Sequence, residues 1–412
     1  MPALAEVIAE PVDEASYIFD SSQLRTYDIQ IAQSDLDVIN EQPSSEAWVP
    51  AMLKFEGQTY GPYRVRYKGA AGAFMYPCTS GPPGGPKDGK CSIKLGFNEV
   101  DPDARFFGLK KLNFHAMNPD ASQLRERLSY TLFREMGIAA PRSVHARVLI
   151  NGELEGLFAV VEQIDGRFTR SRFAEGGKGN LYKEIWPVTE DASRYLASLE
   201  TNEDQQPSVQ RMLDFKHAID MGASATANVI DRDYVLRYLA VDRVIINDDG
   251  MLHFWCDPTA QGNNLGRWGN HNYYWYEAEA ATRFWLVPWD MDNAFDGSRY
   301  VHIALPWTQT AACSCTMTAE VGIQAPSSCD PLVKHFSGWL GDYDKQVDVF
   351  IAGPFAKAHV DALLATWTAQ IQAAAAESGG LHHAPTESAW ADAVMKLQTT
   401  IDSAREHRGY AY

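Results

Sequence analysis

Val144-His145-Ala146-Arg147-Val148-Leu149-Ile150-Asn151-Gly152, and three residues later Gly156-Leu157-Phe158-Ala159-Val160-Val161-Glu162, is the stretch on which the fold turns. Two runs rich in Val, Ile, Leu and Phe flank Asn151-Gly152, a dipeptide suited to the positive φ angles of a tight hairpin turn. The reading is a strand over 144–150 and a returning strand over 156–162. Just upstream lies the clearest helix in the chain. Leu124, Leu128, Leu132 and Met136 recur every four residues and share one face. Asp120 is its expected N-cap, with Gln123 completing a capping-box pattern; Gly137 suits the C′ position and Pro141 follows. Further upstream, 51–55 and 63–67 are strand-like around Glu56-Gly57-Gln58. Residues 91–97 alternate, with Ile93, Leu95 and Phe97 on one face and Ser92 and Lys94 on the other.

After Glu162 the chain leaves the sheet through Gln163-Ile164-Asp165-Gly166, a polar connector. Residues 190–230 are polar and read as a helical insertion. Residues 233–245 carry the helical stripe Val235, Leu236, Leu239 and Val244, ending at Asn247-Asp248-Asp249-Gly250. Strand-like runs over 271–276 and 283–288 precede Trp289-Asp290-Met291-Asp292-Asn293. The tail, 342–378 and 387–412, reads as Ala-rich helices. The expected organisation is α+β: a leader over 1–16, an antiparallel-sheet small lobe over 17–166, and a mainly helical large lobe over 167–412 with a helical tail from 311.

The 412 residues are 45% hydrophobic and 22% charged, a core-forming composition. A net charge of −17 repels nucleic acids and anionic membrane surfaces, so neither is an expected partner. An anionic ligand could be held only where local Lys, Arg or a metal overrides that field. No apolar run approaches the roughly 20 residues that span a bilayer. Residues 1–11 lack the basic and apolar regions of a signal peptide, so the protein is cytosolic or the chain begins at a mature end. Cys78 and Cys91 bracket a Gly/Pro-rich loop, and Cys313, Cys315 and Cys329 cluster in another, with Cys256 between. Even number and loop placement favour disulfides and an oxidising compartment. A zinc site at Cys313, Cys315, Cys329 and His335 is the alternative.

Several residues could carry chemistry. Lys94 is mid-strand opposite the apolar face, either a solvent-facing lysine or a phosphate ligand. Glu162 and Asp165 flank the connector, as ordinary turn carboxylates or beside a bound heterocycle. Asp249 ends a helix, where a carboxylate is common but could also accept a proton. Asp290 leaves a strongly apolar strand, as a hard-cation ligand does. Asn272 lies among tyrosines, as an edge amide or a second ligand.

The same residues carry a family likeness. The chain resembles the CotH kinase family in Val65-Arg66-Tyr67-Lys68-Gly69, Ser92-Ile93-Lys94-Leu95, Gly108-Leu109-Lys110-Lys111-Leu112-Asn113-Phe114 and Leu124-Arg125-Glu126-Arg127-Leu128. The likeness continues in Asn151-Gly152-Glu153-Leu154-Glu155-Gly156, Val161-Glu162-Gln163-Ile164-Asp165, Gly179-Asn180-Leu181-Tyr182-Lys183, His271-Asn272-Tyr273-Tyr274 and Pro288-Trp289-Asp290. It covers roughly 17–300 and, more weakly, the tail. It implies a two-lobed atypical protein-kinase-like fold. It also implies transfer of the γ-phosphoryl of ATP, with Mg2+ or Mn2+, to Ser/Thr of a secreted or surface protein substrate. Asp290 and Asn272 would bind the metal, and Asp249 would be the catalytic base. Lys94 would be the catalytic phosphate lysine, with Arg66, Glu162, Ile164 and Lys183 completing the nucleotide site. The expected location is secreted, periplasmic or cell-surface.

The chain departs from the family pattern in a longer stretch around Gly262-Asn263-Asn264, which leaves the base between Asp248 and Asp249. The phosphate loop is either 57–61 or 69–89, and the partner of Lys94 is Glu126 or Glu135. Two other readings remain. Asp290-Met291-Asp292 also suits a metal-dependent glycosyltransferase, and acidic charge with disulfides suits a non-catalytic assembly protein of a surface or coat.

Overall fold

The computed structural model of the protein describes residues 10–69, 71–80, 84–173, 177–205, 207–256, 269–278, 283–296, 307, 313, 317–319 and 322–409. The chain opens with β1 (Arg25–Gln30), α1 (Gln33–Glu41), β2 (Val49–Phe55), β3 (Gln58–Tyr67), β4 (Ile93–Gly96) and β5 (Lys111–His115). It continues with α2 (Arg125–Glu135), β6 (Ser143–Ile150) and β7 (Glu153–Glu162). These seven strands form a closed barrel in the order β1-β2-β3-β4-β5-β7-β6.

The barrel corrects the expected architecture. An open antiparallel small lobe, as in a two-lobed kinase-like fold, has two sheet edges. Here β1 lies parallel to β6, with Tyr27 opposite Val148, and no edge remains. The α+β class stands; the two-lobed kinase-like arrangement does not. The inward faces meet as one core: Tyr27, Ile29, Leu53, Phe55, Val65, Ile93, Leu95, Phe114, Val148, Phe158 and Val160. β7 is buried on both faces, because Leu157, Ala159 and Val161 point outward into a second core shared with α2. That explains its continuous apolar run in place of alternation.

The hairpin and helix form for the reasons their residues suggest. Asn151 and Gly152 adopt φ +55° and +87°, as their turn requires. Leu124, Leu128, Leu132 and Met136 are all buried. Gly137 sits at φ +74°. Its N–H reaches Arg134 O at 2.8 Å and Ile138 N–H reaches Phe133 O at 3.0 Å, the paired bonds of a Schellman cap. The N-terminus differs from the expected box. The helix starts at Arg125, whose N–H donates to Asp120 Oδ2 at 2.8 Å, while Asp120 also accepts from Ser122 N–H at 2.9 Å.

Past the barrel come α3 (Gly166–Arg172), β8 (Leu181–Lys183), α4 (Ala192–Ala197), α5 (Gln210–Met221), α6 (Ala223–Val229) and α7 (Arg232–Val244). Then follow β9 (Phe254–Cys256), β10 (Tyr273–Glu277), β11 (Phe284–Pro288), β12 (Met317–Ala319) and β13 (Gly322–Ala325). Helices α8 (Pro331–Ser337), α9 (Leu340–Ala352), α10 (Lys357–Ser378) and α11 (Glu387–Glu406) complete the chain. A buried antiparallel sheet, β11-β10-β8, and a smaller one, β12-β13-β9, pack among these helices. Among the described residues no single helix is long and apolar enough to cross a membrane.

Cys78–Cys91 and Cys313–Cys329 are disulfides, as cysteine placement suggested. The zinc alternative loses two ligands to the second bond, and His335 Nδ1 instead meets Thr226 Oγ1 at 2.9 Å. Cys315 and the insertion around Asn263 lie outside the described residues. Cys78–Cys91 closes a short loop whose far end enters β4. Replacing both cysteines by Ser is expected to lower stability by about 2–3 kcal/mol, read as a reduced urea midpoint, with m equal to or above the parental value because the unfolded chain loses its cross-link.

Candidate functional site

The end of β3, the end of β5, the start of α2 and the exit of β11 converge on one place. Lys68 follows β3, His115 ends β5, Glu126 lies in the first turn of α2, and Asp290 follows β11 and Trp289. One potential ligand atom from each of His115, Glu126 and Asp290 lies within 4.8 Å of the others. His115 Nδ1 is 2.9 and 3.1 Å from the two Glu126 oxygens, and Lys68 Nζ is 2.9 Å from His115 Nε2. Asp290 N–H donates to Tyr130 Oη on α2 at 2.9 Å.

The electrostatics are those of charges gathered at the lip of a core. Burial, with the charges of Glu126 and Asp249, raises the Asp290 pKa, while His115 and Lys68 oppose the rise. Burial and Asp290 raise that of Asp292 well above the carboxylate range. Burial pushes Glu126 up to about 8, against the pull of Lys68. Burial lowers Lys68, against Asp290 and Glu126. Groups perturbed by burial and close partners in this way gather at functional sites.

Asp249 stands on the other side of Asn272. His271 Nε2 lies 2.7 Å from Asp249 Oδ1. Trp255 Nε1–H donates to the same oxygen at 3.3 Å. Asn272 Nδ2 donates to Asp249 Oδ2 and to its backbone carbonyl, both at 3.0 Å, so Oδ1 is the ligand atom Asn272 can offer a cation. Burial would lower the His271 pKa, but the Asp249 carboxylate more than offsets it and the net shift is upward. Asp249 is half-buried, whereas Asp248 is buried. Gly250 permits the tight loop, since a Cβ there would fall 2.4 Å from Asn247 Nδ2 and 2.7 Å from Asp242 Oδ1. Ile246, Asn272 and Asp290 all adopt positive φ, +53°, +64° and +55°. Asn and Asp adopt this region more readily than other residues, so the conformation suits Asn272 and Asp290 and costs most at the β-branched Ile246.

Lys94 lies elsewhere. Its strand neighbours are Arg66 on β3 and Asn113 on β5. It lines a cavity of about 940 Å³ together with Lys110, Lys111, Gln163, Asp165 and Arg170. Burial, reinforced by Lys68, Arg66 and Lys111, drives its pKa down to about 7. Asp249, Asn272 and Asp290 are not in that cavity's wall. The two places feel each other's charge: Lys68, Arg66 and Lys111 disfavour the charged form of Lys94, while Asp290 and Glu126 favour and Lys183 and Arg66 disfavour that of Lys68.

The other residues named from the sequence have the following surroundings. Arg66 pairs with Glu46 and covers the Trp48 ring at 5.1 Å. Lys183 ends β8 opposite Tyr274. Ile164 is buried, with its carbonyl accepting from Gln163 Nε2 at 3.1 Å. Asp165 caps α3, accepting from Arg167 and Phe168 N–H at 2.8 and 3.0 Å. The Glu162 carboxylate is taken up by Arg142, Arg167 and Arg172 at 2.8, 2.9 and 2.6 Å. Of the two candidate partners for Lys94, Glu135 meets His359 at 2.9 Å, and Glu126 meets His115 beside Lys68.

Sequence reasoning missed Lys68 and His115 as site residues. Lys68 closes the Val-Arg-Tyr-Lys-Gly motif, a charged residue at a strand end just before a glycine. His115 ends a strand whose last four residues are all buried, where a polar ring is unexpected.

Comparison with known proteins supplies the lineage. The family model described as CotH kinase protein matches residues 87–407. Over 200 residues the chain is 24% identical to "Inner spore coat protein H" of Bacillus subtilis (strain 168), a match covering 45% of this chain and 50% of that protein. The chain thus spans about half the length of the curated relative it matches. With the family model extending from the β3–β4 loop to the end of the last helix, the chain belongs to the CotH kinase protein family.

Proposed function

We propose that this protein transfers the γ-phosphoryl group of ATP to a Ser or Thr hydroxyl of a secreted, surface or coat protein. The observation that carries this is where lysines gather. In a chain of net charge −17, Lys94, Lys110 and Lys111 line a cavity of about 940 Å³, and Lys68 stands on His115 beside Glu126 and Asp290. A polyphosphate bound to a divalent cation is the ligand that such an alternation suits.

The donor set fits a hard cation. Asp290, with Glu126 adding negative charge within 4.8 Å, would hold Mg2+ or Mn2+, and Asn272, whose Oδ1 its bonds to Asp249 leave available, is proposed as a further ligand. The bound ion would neutralise charge developing on the transferred group. Lys68 and Lys94 would position phosphates, and the backbone around Gln163 and Ile164 would hold the base. Asp249, fixed by His271 and Asn272, would accept the acceptor hydroxyl's proton. Two disulfides and the coat-protein relative support a location outside the reducing cytosol.

Asp249→Asn is the direct test. Nucleotide affinity is expected to change less than about threefold, while transfer falls by roughly 10²–10⁴, the usual span for a general base. Transfer that survives in Asp249→Asn and vanishes in Asp248→Asn would move the base. Nucleotide binding by the parent protein with no transfer to any coat or surface protein extract would favour a non-catalytic assembly role.

A further inference from the structure

Lys68 has no carboxylate directly on its ammonium among the bonds described at the site. An imidazole stands between. Lys68 Nζ meets His115 Nε2 at 2.9 Å, and His115 Nδ1 meets Glu126 at 2.9 Å. An ammonium only donates, so Nε2 must accept from Lys68. A neutral ring then carries its proton on Nδ1, and that N–H donates to an oxygen of Glu126. That selects one neutral tautomer. His115 is buried, so water does not compete for either nitrogen.

Trp289 closes the arrangement. Its ring lies 5.4 Å from Lys68 Nζ and 5.4 Å from the His115 ring, which meets it edge-on. The next residue is Asp290. A lysine is a flexible point charge, and its long stem leaves the head group mobile unless something else holds it. The imidazole on one side and the indole on the other do so here, beside the carboxylate that would carry the metal.

We propose that His115 is a positioning residue, relaying Glu126 to Lys68 so that the ammonium is held on the phosphates of the bound nucleotide. This rests on the phosphotransferase reading above. It replaces the direct lysine–carboxylate pair with a three-membered chain drawn from β3, β5 and α2. Glu126 then acts at two bonds' remove, by holding the ring rather than the lysine.

Four variants of the full chain test it: Lys68→Ala, His115→Ala, His115→Gln and the double Lys68→Ala/His115→Ala. His115→Ala is expected to raise KM for ATP and lower kcat/KM by about 10–100-fold, the range for residues that orient a ligand-binding group. The double variant should be no worse than Lys68→Ala alone, because both single changes disable the same ammonium. His115→Gln, which can accept from Lys68 and donate to Glu126 through one amide, should recover part of the loss. A purely structural histidine would not give that non-additivity. Nitrogen NMR of labelled parent protein should show the Nδ1-protonated tautomer at His115 without any nucleotide present. A ring protonated at Nε2, additive losses in the double variant, or a His115→Ala protein with parental KM would each overturn the proposal. If no variant and no parent protein binds nucleotide, the phosphotransferase reading fails and the positioning role falls with it; a parent that binds ATP beside an equally competent His115→Ala refutes the positioning role alone.

Discussion

Asp290→Asn is expected to abolish metal-supported transfer, lowering kcat/KM by at least about 10³-fold, equivalent to roughly 4 kcal/mol of transition-state stabilisation. The carboxylate leaves β11 directly after Trp289 and is held at positive φ by the bond from its N–H to Tyr130. Asn keeps that conformation and nearly the same volume but lacks the charge. Nucleotide binding in a Mg2+ titration should lose its metal dependence. Unchanged metal-dependent binding would remove Asp290 from the metal site.

The same substitution separates loss of function from loss of fold. Asp290 is a carboxyl whose folded-state pKa is raised, first by burial and then by Glu126 and Asp249. A group with a raised pKa favours folding when protonated and opposes it when ionised. The opposition is absent below the ordinary carboxylate pKa and develops as pH rises toward neutrality. Removing the charge at neutral pH in metal-free buffer should therefore leave Tm at or above the parental value. A variant that is inactive and also several degrees less stable would mean that Asp290 supports the fold.

What could be read from sequence follows the range of the interactions involved. The β6–β7 hairpin and α2 announce themselves because their signals are local: a two-residue turn, a four-residue stripe, a capping glycine. The closed barrel does not. β1 pairs with β6 across more than a hundred residues, and its sequence, Arg-Thr-Tyr-Asp-Ile-Gln, is too polar to stand out. β5 is short and buried along most of its length, so it shows no alternation. Without those two strands the sheet looks open, and an open sheet beside helices suggests two lobes.

The site divides in the same way. Asp249, Asn272 and Asp290 drew notice in the sequence because each lies in the loop just before or after an element that the hydrophobic pattern defines, and because the family likeness implies roles for them. Lys68 and His115 were not, since their partnership is made by strand register: β3 and β5 flank β4, which brings the two residues to 2.9 Å across 47 positions. Lys94 was the better sequence candidate because its strand alternated cleanly. The fold puts it in the cavity wall and gives the place beside the carboxylates to Lys68.

Glu162→Ala is expected to destabilise the protein by about 3–5 kcal/mol, although the residue lies in a stretch first read as nucleotide-binding. The carboxylate is fully buried. Arg142 donates to Oε2 through Nε and backbone N–H and to Oε1 through Nη2, Arg172 adds a second side chain on Oε2, and Arg167 adds one on Oε1. Arg172 is itself fully buried, so deleting the acid leaves its guanidinium charge in the core with only the neutral acceptors Ser171 Oγ and Ala140 O. The pH dependence has a definite sign. Burial would raise the Glu162 pKa, but Arg172 and Arg142 outweigh it and the net shift is strongly downward. Its stabilisation is complete above the unfolded pKa of about 4.3 and is lost as pH falls below that value toward the depressed folded pKa. Urea unfolding of parent and variant should thus differ most at neutral pH and converge on acidification from about pH 4 downward. A gap below about 1 kcal/mol at pH 7 would show that the three arginines are satisfied without Glu162, and one that persists unchanged at low pH would show that its contribution is packing and not charge.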